Sequence, residues 1–113
     1  MRAWRWVPFL CVALGAQSAQ ASARWTFCVA AALASSDVWI TDVFATNADR
    51  ERLENDLKNL LTRQGAPRIV AQCPMPVDDK TAAVNAQILA EEFNRKLGKT
   101  LHALAAAEKL SRR

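Results

Sequence analysis

Apolar, β-branched and aromatic residues fill positions 25–33 and, apart from Asp42, 38–45, with the turn formers Ser35, Ser36 and Asp37 between the two runs. That pattern predicts two strands joined as a hairpin. After Thr46 and Asn47 the period changes, and Leu53, Leu57, Leu60 and Leu61 form a single helical stripe with Glu54 and Lys58 paired outside it. Asn47 is the expected cap of this helix, which starts near Ala48 and stops at Gly65 and Pro67. A third strand spans 68–73 and ends at Pro74 and Pro76, which lack backbone donors. Asp78 or Asp79 then opens a last helix. Its expected core stripe is Ala82, Ala86, Leu89, Ala90, Phe93 and Leu97, continued by Leu101 and Leu104 if the helix survives Gly98. Val84 and Ile88 form a smaller patch on the other side, suited to contact with the proline segment.

The helix between the second and third strands must make a right-handed crossover, which lets the first strand sit between them. The expected fold is α+β: a three-stranded antiparallel sheet of order 2-1-3 with two helices on one face, in the order ββαβα. That arrangement places Cys28 beside Cys73. One small domain is expected over 24–104, followed by a frayed basic tail, 105–113, carrying Lys109, Arg112 and Arg113.

The start of the chain has a different character. Arg2 and Arg5 precede an apolar stretch from Trp6 to Ala16, and small and polar residues then lead to Ala21, Ser22 and Ala23. That order is the pattern of a signal peptide, 1–23, with cleavage after Ala23 or Ala21. The apolar stretch is about half of the roughly twenty residues a spanning helix needs, so no stable membrane span is expected after cleavage. Losing Cys11 with the leader leaves Cys28 and Cys73 as the cysteines of the mature chain, and in an oxidising compartment such a pair forms a disulfide. The bond would close a loop of about 45 residues and contribute about 3 to 4 kcal/mol in the chain-entropy model. The expected location is therefore outside the cytoplasm, either periplasmic or secreted.

At 113 residues, 51% of them apolar, the chain suits one domain. Its formal charge of +4 falls to +2 when Arg2 and Arg5 leave with the leader. What remains has no basic stripe with interleaved aromatics, so nucleic acid is not an expected partner. Chemistry-bearing residues are sparse as well. His102 is expected to be solvated on the polar side of the last helix, near Arg95. Asp37 reads as a turn residue, Asp42 as a charge guarding a strand edge, and Asp78 and Asp79 as helix-start residues. No serine or cysteine has an evident base, and no phosphate loop or metal-ligand spacing is present. The expectation is a protein that is not an enzyme and takes neither metal nor cofactor.

Strand alternation places Trp25, Phe27 and Val29 on one side of the first strand and Thr26, Cys28 and Ala30 on the other. With the disulfide beneath the helices, the open face would expose Trp25, Phe27, Val29 and Val70, with Trp39 a further candidate from the second strand. Apolar patches of that kind mark interaction sites. The sequence leaves open which face the helices cover.

Cys28, the run Ile40-Thr41-Asp42-Val43-Phe44, Gln72-Cys73-Pro74 and Phe93-Asn94-Arg95 together resemble small exported bacterial proteins that remain uncharacterised. This resemblance implies location and fold and no activity. More distantly, Val43 and Phe44 followed by a polar cap, a leucine-striped helix, a strand and another helix look like the SPOR domain. That family binds peptidoglycan glycan strands and has a fourth strand that this reading lacks. The expected role is a protein-interaction or self-assembling module of the cell envelope, its partner an unidentified envelope protein or a second copy. The alternative is a SPOR-like module binding peptidoglycan glycan through Trp25, Phe27 or Trp39 as stacking platforms.

Overall fold

Turn chemistry and strand breaks, rather than long regular runs, shape this chain. The computed structural model describes residues 24–105. The expected leader, 1–23, and the tail beyond Ala105 lie outside the described residues. The elements are β1 (Arg24–Thr26), β2 (Val29–Ala32), β3 (Asp37–Thr41), β4 (Phe44–Thr46), α1 (Arg50–Arg63), β5 (Ile69–Gln72), α2 (Lys80–Lys96) and β6 (Thr100–Leu104).

Each arm of the expected hairpin is broken once, at Phe27 and Cys28 in the first and at Asp42 and Val43 in the second. The outer pieces, β1 and β4, pair antiparallel as a two-stranded sheet, while β2 and β3 enter a four-stranded sheet ordered β5-β2-β3-β6. Thr41 secures the break. Its N–H donates to the Cys28 carbonyl at 3.0 Å, and its Oγ1 accepts the Cys28 N–H at 2.9 Å.

The first strand does lie between the second and third, antiparallel to both. The sheet is nevertheless four-stranded and mixed, not three-stranded and antiparallel, because residues 100–104 form β6 parallel to β3. The order is four strands, helix, strand, helix, strand in place of ββαβα. Gly98 is the cause. At φ +79° it ends α2 in the left-handed conformation, with Gly98 N–H donating to Arg95 O and Lys99 N–H to Asn94 O, both at 3.0 Å. Leu101 and Leu104 therefore belong to a strand, not to the last helix. Gly65, at φ +95°, closes α1 by the same motif. The cap of α1 is Asp49 rather than Asn47: Asp49 Oδ1 accepts the Arg52 N–H at 2.8 Å, while Thr46 Oγ1 satisfies Ala48 N–H.

The two helices lie on opposite faces, not on one. Leu53, Leu57 and Leu61 of α1 pack on Ala30, Ala32 and Ile69 around the buried Cys28–Cys73 disulfide. Phe27, Val38 and Ile40 form a second cluster with Leu101 and Ala90 of α2. Because successive strand residues point to opposite faces, both sides of this sheet are apolar and each needs a covering layer. The disulfide side takes α1 and the Phe27 side takes α2. No helix among the described residues is long and apolar enough to cross a membrane.

Candidate functional site

α2 runs over β1, β3 and β6 and leaves the β5 side of its own face uncovered. Val70 is 44% exposed there and Val29 is half-buried. The result is a groove of about 520 Å³ whose lining includes Phe27, Val29, Val70, Gln72 and Ala90, with Arg50 and Glu54 of α1 at the β5 edge. Three of the five residues expected on an interaction surface, Phe27, Val29 and Val70, thus meet in one groove, although Phe27 is buried in its floor rather than exposed. Trp25 lies in a neighbouring cavity of about 100 Å³ with Phe27, Pro74 and Met75, walled by Ala82 and Ala86. Trp39 is on the opposite face, packed against the α1 cluster.

The helix beside the groove is rotated relative to its expected orientation. Ala83 is buried and Val84, Gln87, Ala90 and Asn94 are half-buried, while Leu89, Phe93 and Leu97 are 65%, 60% and 56% exposed. Of the stripe assigned to the core, Ala82, Ala86, Leu89, Phe93 and Leu97 therefore face out, and Ala90 alone keeps its inward place. Two features hold this orientation. Small side chains at Ala83 and Ala90 allow the helix close to the sheet, and Gln87 Nε2 donates to the Thr41 carbonyl at 2.6 Å. Asp79 caps the helix by accepting the Thr81 N–H at 2.9 Å. Among the described residues nothing covers the outward stripe.

The other aromatic candidates have neighbours on their rings. Lys80 Nζ sits 4.9 Å from the Trp25 ring centroid, and His102 stacks on Trp39 with centroids 5.3 Å apart and 27° between planes. A sugar would need a bare ring face. His102 is not on a fraying helix as expected. It is the third residue of β6, opposite Trp39, with Nε2–H donating to Asp37 Oδ1 at 2.9 Å. Ser35 Oγ donates to Asp37 Oδ2 at 2.8 Å. These hydrogen bonds, His102 first and then Ser35, hold the Asp37 carboxyl below its ordinary value. The pair is a clip between β3 and β6 and lines none of the grooves described above. Its members stand on strands that pair only in the fold, so no sequence spacing announced them.

Comparison with family models, curated proteins and solved structures returns no match. The functional reading therefore rests on the residues and their geometry.

Proposed function

We propose that this chain is a small exported protein-interaction or self-assembling module of the cell envelope, without enzymatic activity, that engages other proteins through the outward face of α2. The outward placement of Leu89, Phe93 and Leu97 carries this reading. Three large apolar side chains at helical spacing, each more than half exposed, form a contiguous stripe of the kind that partner proteins cover. Val70 and the groove beside β5 offer a second apolar surface. Export is supported by the leader-like order of residues 1–23 and by a buried disulfide, a bond that persists in oxidising compartments. The neighbours on the Trp25 and Trp39 rings favour protein over glycan as the partner.

The test is position-specific photocrosslinking in cells. A photoreactive phenylalanine analogue replaces Leu89 or Phe93, and the same analogue at exposed Asn59 on α1 serves as control. Discrete protein adducts from positions 89 and 93, missing from 59, are expected. A chain that forms no adduct at either α2 position overturns the reading.

A further inference from the structure

The free edge of β5 is a self-complementary surface, and we infer that a second copy of this chain pairs with it. The inference rests on the reading of the chain as an interaction module and assigns a surface to its self-association. The backbone register carries it. Leu33 N–H donates to Arg68 O at 3.0 Å, which makes that opposed pair a hydrogen-bonded one. In an antiparallel ladder such pairs alternate, so Val70 and Gln72 exchange hydrogen bonds with Ala31 and Val29 of β2. Ile69 and Ala71 consequently turn their N–H and C=O groups away from β2, and among the described residues nothing takes them. The outward N–H of Cys73 is taken, by Glu54 Oε2 at 2.9 Å.

Antiparallel pairing of two β5 strands about a two-fold axis at Val70 sets Ile69 of each copy opposite Ala71 of the other. Those are the residues with outward backbone groups, and they supply four reciprocal hydrogen bonds. The ladder ends on both sides for chemical reasons: the next pair would join Cys73, whose N–H already serves Glu54, to Pro67, which has none. Val70, exposed on the α2 side, meets its own copy across the axis.

Charge agrees with the same register. Glu54 borders both the groove at the Cys73 end of β5 and a cavity of about 230 Å³ beside Ile69, Val70 and Ala71, which Lys58 also lines. About that axis both copies line the seam with Glu54 and Lys58, so the carboxylates of each copy have ammonium groups of the other along the same edge. A second copy satisfies the backbone, apolar and charged features of this edge together, as expected of an isologous interface.

Sedimentation equilibrium of the purified chain from micromolar to about millimolar concentration tests the inference. A monomer–dimer equilibrium is expected. Ala71→Pro removes an outward N–H that β2 does not use, a substitution edge strands tolerate. Val70→Lys sets two cations against each other at the axis, and Lys58→Glu replaces a cation with a carboxylate on each side of the seam that Glu54 already lines. Each should raise the dissociation constant at least about tenfold, or about 1.4 kcal/mol. Circular dichroism identifies a variant that has lost its fold, and Val70→Lys, at an exposed site, keeps the test valid if Ala71→Pro does not fold. A chain that stays monomeric throughout, or a dimer indifferent to folded Val70→Lys and Lys58→Glu, overturns the inference. Crosslinking at Phe93 reports separately on the α2 face, so the two proposals fail independently.

Discussion

Gln87 lies over the sheet with its side-chain amide 2.6 Å from the carbonyl of Thr41, a buried residue at the end of β3. That bond joins α2 to the strand whose N–H and hydroxyl already secure the break at Cys28. Gln87→Leu keeps helix propensity and adds apolar surface, yet leaves the carbonyl unpaired. We expect a loss of about 1 to 2 kcal/mol, read as a lower urea midpoint with an unchanged slope. A stabilised variant would mean that the amide does not set the orientation of α2.

The outward stripe makes a contrasting prediction. Phe93→Gln should change monomer stability by less than about 0.5 kcal/mol, as exposed positions do. Leu57→Ala, in the middle of the α1 stripe and fully buried, should cost about 2 to 5 kcal/mol. If α2 presented its large apolar residues to the core, the two substitutions would behave alike.

That contrast also shows how far the pattern of residues could be read. The leucine stripe of α1 was legible because Leu53, Leu57, Leu60 and Leu61 have a single apolar face to bury, and all four are buried. The Cys28–Cys73 pairing and the central place of the first strand followed from topology and thiol count. α2 was misread because periodicity shows that a stripe exists without showing what it meets. Ala90 was placed correctly, but Ala83 took an inside position by being small, and Gln87 by finding an acceptor. β6 was missed because residues 100–104 are too few to distinguish a strand from a continuing helix until Gly98 turns left-handed. The surface candidates Phe27, Val29 and Val70 converged, but Trp39 did not. Its face was settled by pairing with β2, which the sequence left open.

Asp37 gives a dependence on pH. Its carboxyl is held below its ordinary value by the hydrogen bonds from His102 and Ser35. A group with a lowered folded-state pKa adds stability above its unfolded value, and this is lost as pH falls through the folded one. The side chains of His102 and Asp37 are 42% and 40% exposed, so solvent screens the pair and the effect is small. Denaturation of the wild type and Asp37→Asn should show the wild type more stable near neutrality, with the difference shrinking once pH drops below the ordinary carboxylate range. A difference that stays constant down to strong acid would show that the carboxylate charge plays no part.

Removing the disulfide separates two ways in which it could stabilise the fold. Cys28 and Cys73 are 45 residues apart in sequence, so the bond closes a long loop in the unfolded chain, and both residues are buried beside α1. If restriction of the unfolded chain dominates, the double substitution Cys28→Ala with Cys73→Ala should cost about 3 to 4 kcal/mol. The denaturant slope should also rise, because the uncrosslinked chain exposes more surface on unfolding. If packing of the sulfurs dominates, the slope should hold and the loss should follow the cavity left behind. Glu54 offers an internal control: it bonds to the backbone N–H of Cys73 and not to the sulfur, so Glu54→Gln should shift both proteins by a similar amount. Urea unfolding of the four combinations gives midpoints and slopes together. An unchanged slope with a loss well under about 3 kcal/mol would refute the chain-entropy account for this protein.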